Sequence, residues 1–219
     1  NMRRNGELKL DFVYTIKGIK NEAGIRTLAS LMENDFTKRY TVEEVENTNV
    51  EEFEYFESRQ TAYYNLSGKI KKLNWQAGLR AEYSWLDINS VSNSDYAVLL
   101  PQVSLNHPFS KEQSVKFSYR KQIFRPSVNS LNPFETWTDS LHVRIGNPNL
   151  DAAIENRFEL TYSRNFKANF ISPKLYFRYT DNGIQDNTIV TDKGVTMITQ
   201  DNVGKNMEYG VGINGAFQI

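Results

Sequence analysis

Asp139, Ser140 and His142 lie within four residues of one another. A carboxylate, a hydroxyl and an imidazole are the parts of a nucleophilic hydrolase, in which the hydroxyl attacks, the imidazole takes its proton and the carboxylate orients the ring. Such a set is recognised by geometry rather than by closeness in sequence, and no Gly-x-Ser-x-Gly elbow or oxyanion signature accompanies it. Catalysis is the weaker reading, so no catalytic residue is assigned and the chain is read as a non-enzyme. Metal chemistry fares no better, because there is no cysteine and only two histidines, His107 and His142. His107, before Pro108, reads as a turn residue, and Asp181-Asn182-Gly183 reads as turn chemistry or a bulge rather than a metal site. The acidic run Glu43 to Glu57 lacks the Asp-x-Asp-x-Asp-Gly spacing of a cation loop and reads as a solvated loop. No phosphate-cradling glycine loop and no paired catalytic carboxylates are visible, so no cofactor is expected.

The composition narrows the partners. Among 219 residues, 26 Lys and Arg balance 26 Asp and Glu, which leaves no general electrostatic case for nucleic acid, an anionic membrane surface or an acidic substrate. Hydrophobic residues make up 39%, and the mean hydropathy of -0.57 reads at first as that of a water-soluble chain. The longest aliphatic run is Ala97-Val98-Leu99-Leu100, far short of a membrane-spanning helix. Asn1 to Gly6 carries charge with no apolar stretch behind it, so no signal peptide is visible and the chain is expected to be processed or cut from something longer.

An average conceals alternation, and the apolar period here is two. From Trp75 the odd positions read Trp75, Ala77, Leu79, Ala81, Tyr83 and Trp85, against Gln76, Gly78, Arg80, Glu82 and Ser84. The same pattern runs through Leu8 to Lys17, Tyr64 to Ile70, Leu99 to Leu105, Val115 to Arg120, Phe158 to Ser163, Leu175 to Thr180 and Met207 to Phe217. Eight strands are clear. A ninth lies near Ile25 to Asp35, where Leu28 to Met32 fits a short helix equally well. Short connections, at Gly18 to Gly24, Lys71 to Asn74, Pro108 to Ser114 and Phe166 to Ile171, alternate with mostly longer ones at Phe36 to Arg59, Asn89 to Asp95, Arg125 to Ile154 and Asp181 to Gly194. That rhythm puts turns at one end of the sheet and loops at the other, as in an up-and-down meander.

A water-soluble sandwich and a membrane barrel share this period, and strand length separates them. Trp75 to Trp85 spans eleven residues. Ten steps of about 3.4 Å, tilted near 45°, project to about 24 Å, close to the ~25 Å apolar band of an outer-membrane barrel. Charges in mid-strand, such as Arg80 with Glu82 and Arg157 with Glu159, suit a wet lumen, so the barrel is preferred. The alternative, a soluble β-sandwich serving as an adhesion or carbohydrate-binding module, predicts Trp75 and Trp85 in a closed core.

Four blocks in fixed order then carry a resemblance: Ser118 to Ser127 (SYRKQIFRPS), Leu131-Asn132-Pro133-Phe134, Gly146-Asn147-Pro148-Asn149-Leu150 and Glu159 to Ser163. With Gly68-Lys69-Ile70, Ala77 to Tyr83 and Asn202-Val203-Gly204-Lys205, they make the chain from about Tyr63 onward resemble the barrel of TonB-dependent outer-membrane receptors, in particular the outer-membrane β-barrel family common in Bacteroidetes. Ala152 and Ala153 stand where that family usually has a Pro-Glu pair, and Phe217-Gln218-Ile219 lacks the terminal aromatic residue of assembled barrels.

The resemblance implies an all-β fold, an antiparallel up-and-down meander forming part of a transmembrane outer-membrane β-barrel. Eight or nine strands are fewer than the roughly 22 of a full receptor, so residues 1–219 are expected to be one partial barrel domain with no plug. The implied activity is import of a nutrient (iron chelate, vitamin or glycan) across the cell outer membrane of a Gram-negative bacterium. The implied partners are outer-membrane lipid, the rest of the barrel and its plug, a TonB-type energising complex and a surface lipoprotein, with no nucleic acid. Arg125, Asn132, Phe134, Trp137 and Asn147 are the candidate ligand residues of the extracellular loop. Turn-setting competes with that role for the Pro, Gly and Asn of the loop, and Trp137 is as well suited to packing the loop as to stacking on a substrate. Trp75, Tyr83, Trp85, Phe177 and Tyr179 are the expected membrane-interface aromatics.

Overall fold

The computed structural model describes residues 2–42, 45–88 and 92–218. The chain runs β1 (Met2–Ile16), β2 (Ile19–Val42), β3 (Val45–Ile70), β4 (Leu73–Ile88), β5 (Ser92–Pro108), β6 (Gln113–Phe124), one helical turn α1 (Val128–Leu131), β7 (Thr136–Asp139), β8 (His142–Arg144), β9 (Ala153–Phe166), β10 (Asn169–Val190) and β11 (Thr196–Ala216). All join one sheet in the order β1-β2-β3-β4-β5-β6-β9-β10-β11-β8-β7. The nine long strands form the expected antiparallel meander. The exception is β8, which lies parallel to β11 over His142–Arg144. Ile25 to Asp35, open between strand and helix, is the interior of β2.

Cross-strand partners share a face, so the register turns the alternation into two surfaces. Leu10, Ile25, Ala62, Ala81 and Leu99 form one row, and Lys9, Arg26, Thr61, Glu82 and Val98 form the adjacent row on the other side. The apolar face is open. Leu8, Phe12, Val211 and Ile213 are each more than half exposed, and Trp85 is 40% exposed rather than enclosed. Contiguous apolar surface on this scale is not what a water-soluble monomer presents, and among the described residues Trp75 and Trp85 do not lie in the closed core that the sandwich alternative requires. On the polar face the charges pair along strands, Lys9 with Asp11 at 2.7 Å and Arg80 with Glu82 at 2.8 Å, and across them, Arg26 with Glu7 at 2.9 Å and Arg178 with Glu208 at 3.2 Å.

Several strands outrun the expected span. β3 has 26 residues, about 85 Å of chain, or about 60 Å at a 45° tilt, against an apolar band near 25 Å. The stretches read as the loops Phe36 to Arg59 and Asp181 to Gly194 are therefore mostly strand, although Glu43 and Glu44 lie outside the described residues. Toward the loop end of β3 and β4 buried apolar residues appear on the other side. Tyr64 and Trp85 face the open apolar side, whereas Phe53 and Tyr55 of β3 and Leu86 and Ile88 of β4 turn to the polar side and are buried there. The acidic run is thus not a solvated loop through its whole length, because β3 carries Phe53 and Tyr55 into a core.

Two smaller expectations are also corrected. His107 pairs with Val115 as the penultimate residue of β5 rather than sitting in a turn. Asn182 faces Gly204, both with positive φ, and pairing resumes at Gly183 and Val203 with no residue inserted, so the site is a kink within a continuous register and not a bulge.

Candidate functional site

The connection from Arg125 to Ala152 folds back onto the polar face and caps it. Leu131 and Leu150 join Phe53, Tyr55, Leu86 and Ile88 in the main hydrophobic cluster, with Met32, Tyr96, Val128, Phe134 and Ile184 packed around it. Phe53 is 1% exposed and Leu131 2%. Burial of side chains of this size is worth about 1.5–3 kcal/mol each, which is what holds a polar loop against a strand wall.

Arg125 roots the cap. Pro101 has no N–H to donate, and β5 pairs with β6 only from Gln102 onward, so the two strands part beyond that point. At the far end of β6 the Arg125 guanidinium reaches β3, β4 and β5: it pairs with Glu82, donates to Tyr96 Oη at 2.7 Å and to Ser84 Oγ at 3.4 Å, and lies 4.0 Å from Glu57. Glu57, itself paired with Arg59, accepts from Tyr55 Oη at 3.1 Å. Glu57 and Glu82 are only 10% and 7% exposed, and Arg125 adds a shared cation to the ones they already hold, Arg59 and Arg80.

The other motif residues interlock behind it. Ser127 caps α1, accepting from Ser130 N at 3.1 Å. Asn132 is buried, its side chain accepting from Phe134 N at 3.0 Å while its carbonyl accepts from Gly146 N at 2.7 Å. A Cβ on Gly146 would fall 2.4 Å from that carbonyl oxygen, so only glycine fits here. Asn147 Nδ2 donates to Gln200 O at 3.1 Å and to Asp201 Oδ1 at 3.2 Å, while its Oδ1 accepts from Asn149 N. Asn202 completes the clasp, accepting from Asp151 N at 2.8 Å and donating to Asp151 O at 3.0 Å and Asn182 O at 2.9 Å. Beyond Asp181 the β10–β11 ribbon leaves β9, and past the kink at Asn182 and Gly204 β11 docks against β8. Ala153, one of the two residues departing from the family pattern, is buried where β9 begins, opposite Phe124.

Of the five loop candidates, Arg125, Asn132, Phe134 and Asn147 are thus engaged within the cap. Trp137 projects, 43% exposed on β7, with Nε1 donating to Glu135 Oε2 at 2.9 Å. Asp139 and His142 meet, Nδ1 lying 2.9 Å from both carboxylate oxygens, but they close the two-residue turn Ser140-Leu141. The Leu141 amide, 2.8 Å from Asp139 Oδ1, and then the His142 ring hold that carboxyl below its ordinary value. Glu57, Ser84, Tyr96 and Asn202 were not singled out from sequence as partners of the loop. The available signal was the reversed alternation Glu52-Phe53-Glu54-Tyr55, which turns the odd residues of β3 toward the cap.

Among the interface aromatics, Trp75 lies over Gly68, close to the Lys71-Lys72 turn, and Trp85 meets Phe56 edge-on at 5.4 Å. Tyr83 and Tyr179 donate to Asp95 at 3.4 Å and Asp181 at 2.8 Å, and Phe177 lies 6.1 Å from Phe158. Below the cap the polar face holds a concavity of about 560 Å³ lined by residues including Asp11, Glu22, Tyr63, Arg80, Arg120 and Gln122.

The model of the outer membrane protein beta-barrel family matches residues 1–219. No curated protein matches. Among solved structures, the copper transporter OprC superposes with a TM-score of 0.75 at 11% identity, over 99% of this chain and 36% of the transporter. The FrpB iron transporter of Neisseria meningitidis (F3-3 variant) gives 0.65 at 10% identity over 99% and 33%, and the ferric citrate transporter FecA in its unliganded form gives 0.62 at 12% over 97% and 31%. The chain spans about a third of the length of each. At such identities the likeness is one of fold.

Proposed function

The chain belongs to the outer membrane protein β-barrel family and lies in the cell outer membrane, and on that premise we propose that it is one stretch of wall in a TonB-dependent transport barrel importing a scarce nutrient: an iron chelate, a vitamin or a glycan. The observation that carries this reading is the pairing of an open apolar face across nine strands with a loop folded onto the opposite, charged face. Lipid covers the first, and the second lines the lumen.

Residues 1–219 then form a single partial barrel domain, whose remaining wall and plug belong to the same transporter, energised from the inner membrane by a TonB-type complex. A surface lipoprotein would meet the loop end. The role is passive: the wall holds the plug and presents the mouth. Trp137 is the loop residue best placed to touch a substrate, while Arg125, Asn132, Phe134 and Asn147 shape the rim that presents it. Trp75, Tyr83, Trp85, Phe177 and Tyr179 serve as the aromatic girdle residues.

The test is growth on a limiting nutrient. Cells lacking the protein and offered iron chelates, corrinoids or oligosaccharides singly should fail on one of them and recover with the wild-type protein, and Trp137→Ala should raise the half-saturating concentration of that nutrient. Unimpaired growth on every nutrient would overturn the reading.

A further inference from the structure

The net charge of zero hides a segregation along the strands. The connections β1–β2, β3–β4, β5–β6 and β9–β10 all fall at one end of the sheet, which in such barrels is the periplasmic end. Each places an exposed large apolar residue beside an exposed lysine: Ile16 with Lys17, Ile70 with Lys71 and Lys72, Phe109 with Lys111, and Phe166 with Lys167. Lys17, Lys71 and Lys167 hold positive φ in their turns, a conformation that asparagine adopts more readily than lysine, so turn geometry does not account for lysine there. Among the described residues, none of Lys17, Lys71, Lys72, Lys111 or Lys167 has a carboxylate within ion-pair distance, although Glu112 follows Lys111 in its turn, whereas carboxylates such as Asp139, Asp151, Asp186, Asp192 and Asp201 collect at the loop end.

We propose that these four turns form a basic, apolar-edged rim that binds the anionic headgroups of the phospholipid leaflet on the turn side. The isoleucines and phenylalanines reach into the acyl boundary, continuous with the apolar face, while the lysine ammoniums extend to the phosphates. A repeat of the same pair on all four turns fits a continuous lipid surface better than a single local partner, and it anchors the depth at which the barrel sits.

The test uses the transporter with its whole barrel, reconstituted in vesicles of equal phosphatidylglycerol and phosphatidylcholine, with the lipid retained after detergent extraction measured by mass spectrometry. Each lysine near an anionic surface favours it by a factor of about five, so K17N/K71N/K167N should lower the preference for phosphatidylglycerol at each of those turns by up to about fivefold and bring the retained lipid toward the bulk ratio. High salt should reduce the enrichment of the wild type, K17R/K71R/K167R should keep it, and Lys193→Asn at the opposite end should leave it unchanged. Asparagine accommodates the positive φ, and K72Q/K111Q, away from those strained positions, supplies a second reading should the triple variant fail to fold. Wild-type retention at the bulk lipid ratio, wild-type enrichment in the Asn variant, or equal loss in Lys193→Asn would each overturn the proposal.

Discussion

Replacing Gly146 by alanine places a Cβ 2.4 Å from Asn132 O and 2.7 Å from both Asn132 N and Ser130 O, all of them backbone atoms that cannot swing aside. The strand of loop carrying Gly146 must lift, at about 1–3 kcal/mol for overpacking. Lifting also strains the bonds from Gly146 N to Asn132 O and from Asn147 N to Ser130 O, both 2.7 Å, each worth about 0.5–1.5 kcal/mol. A total near 3 kcal/mol raises the opening equilibrium of the cap by about a hundredfold. Hydrogen exchange on the transporter in nanodiscs reads this directly: the Asn147 amide should exchange about a hundred times faster, while amides of β4 around Leu79 stay protected. Gly6→Ala, where nothing lies within 4 Å, is the control and should leave the cap unchanged. If Asn147 exchange in Gly146→Ala stays within about threefold of wild type (~0.7 kcal/mol), the glycine is not what lets the two loop segments close.

Arg125→Met leaves the nearly buried Glu82 and Glu57 with one cation each, Arg80 and Arg59, and removes charged hydrogen bonds, so it should cost about 1.5–3 kcal/mol in denaturant titration, with E82Q/R125M recovering part of it. Asn202→Ala removes three bonds to Asp151 and Asn182, about 3 kcal/mol in all, and should free the β10–β11 ribbon, seen as faster exchange at Asp151. Asp139 has a folded pKa below its ordinary 3.8, so its contribution to the β7–β8 hairpin is present above that value and lost as pH falls through the lowered one. Leu141 amide exchange should therefore rise only at strongly acidic pH in the wild type and be insensitive to pH over that range in Asp139→Asn.

Eight strands were legible because each carries apolar residues in alternation, whereas Ile25 to Asp35 stayed open between strand and helix because Thr27 interrupts the apolar run and Leu28 and Met32 lie on the opposite face; pairing with β1 through Glu33 makes it strand. What escaped was the continuation of β2, β3, β10 and β11 past the apolar band. In β3 the outward residues there, Glu52 and Glu54, are polar while Phe53 and Tyr55 turn inward beneath the cap, so a search for one unchanging face reads that segment as loop. The cap itself was half legible. Pro, Gly and Asn announced turns, and Gly146 and Asn147 do set them, but nothing in the local sequence of Arg125 points to Glu82 and Tyr96, 43 and 29 residues away, because that contact depends on sheet register. Asn182-Gly183 carried turn composition and made a kink instead, since the ladder on both sides kept its register.

The central claim is that one face of these strands meets lipid and the other the lumen, with the sides exchanged beyond the band. The chain has no cysteine, so single cysteines bearing a nitroxide can be walked along β4 from Ala77 to Ile88 in the reconstituted transporter. The account predicts oxygen accessibility that peaks at Leu79, Ala81 and Tyr83, falls at Arg80 and Glu82, and stays low at Leu86 and Ile88 beneath the cap. Peaks at Arg80 and Glu82, or no period of two through this stretch, would contradict it.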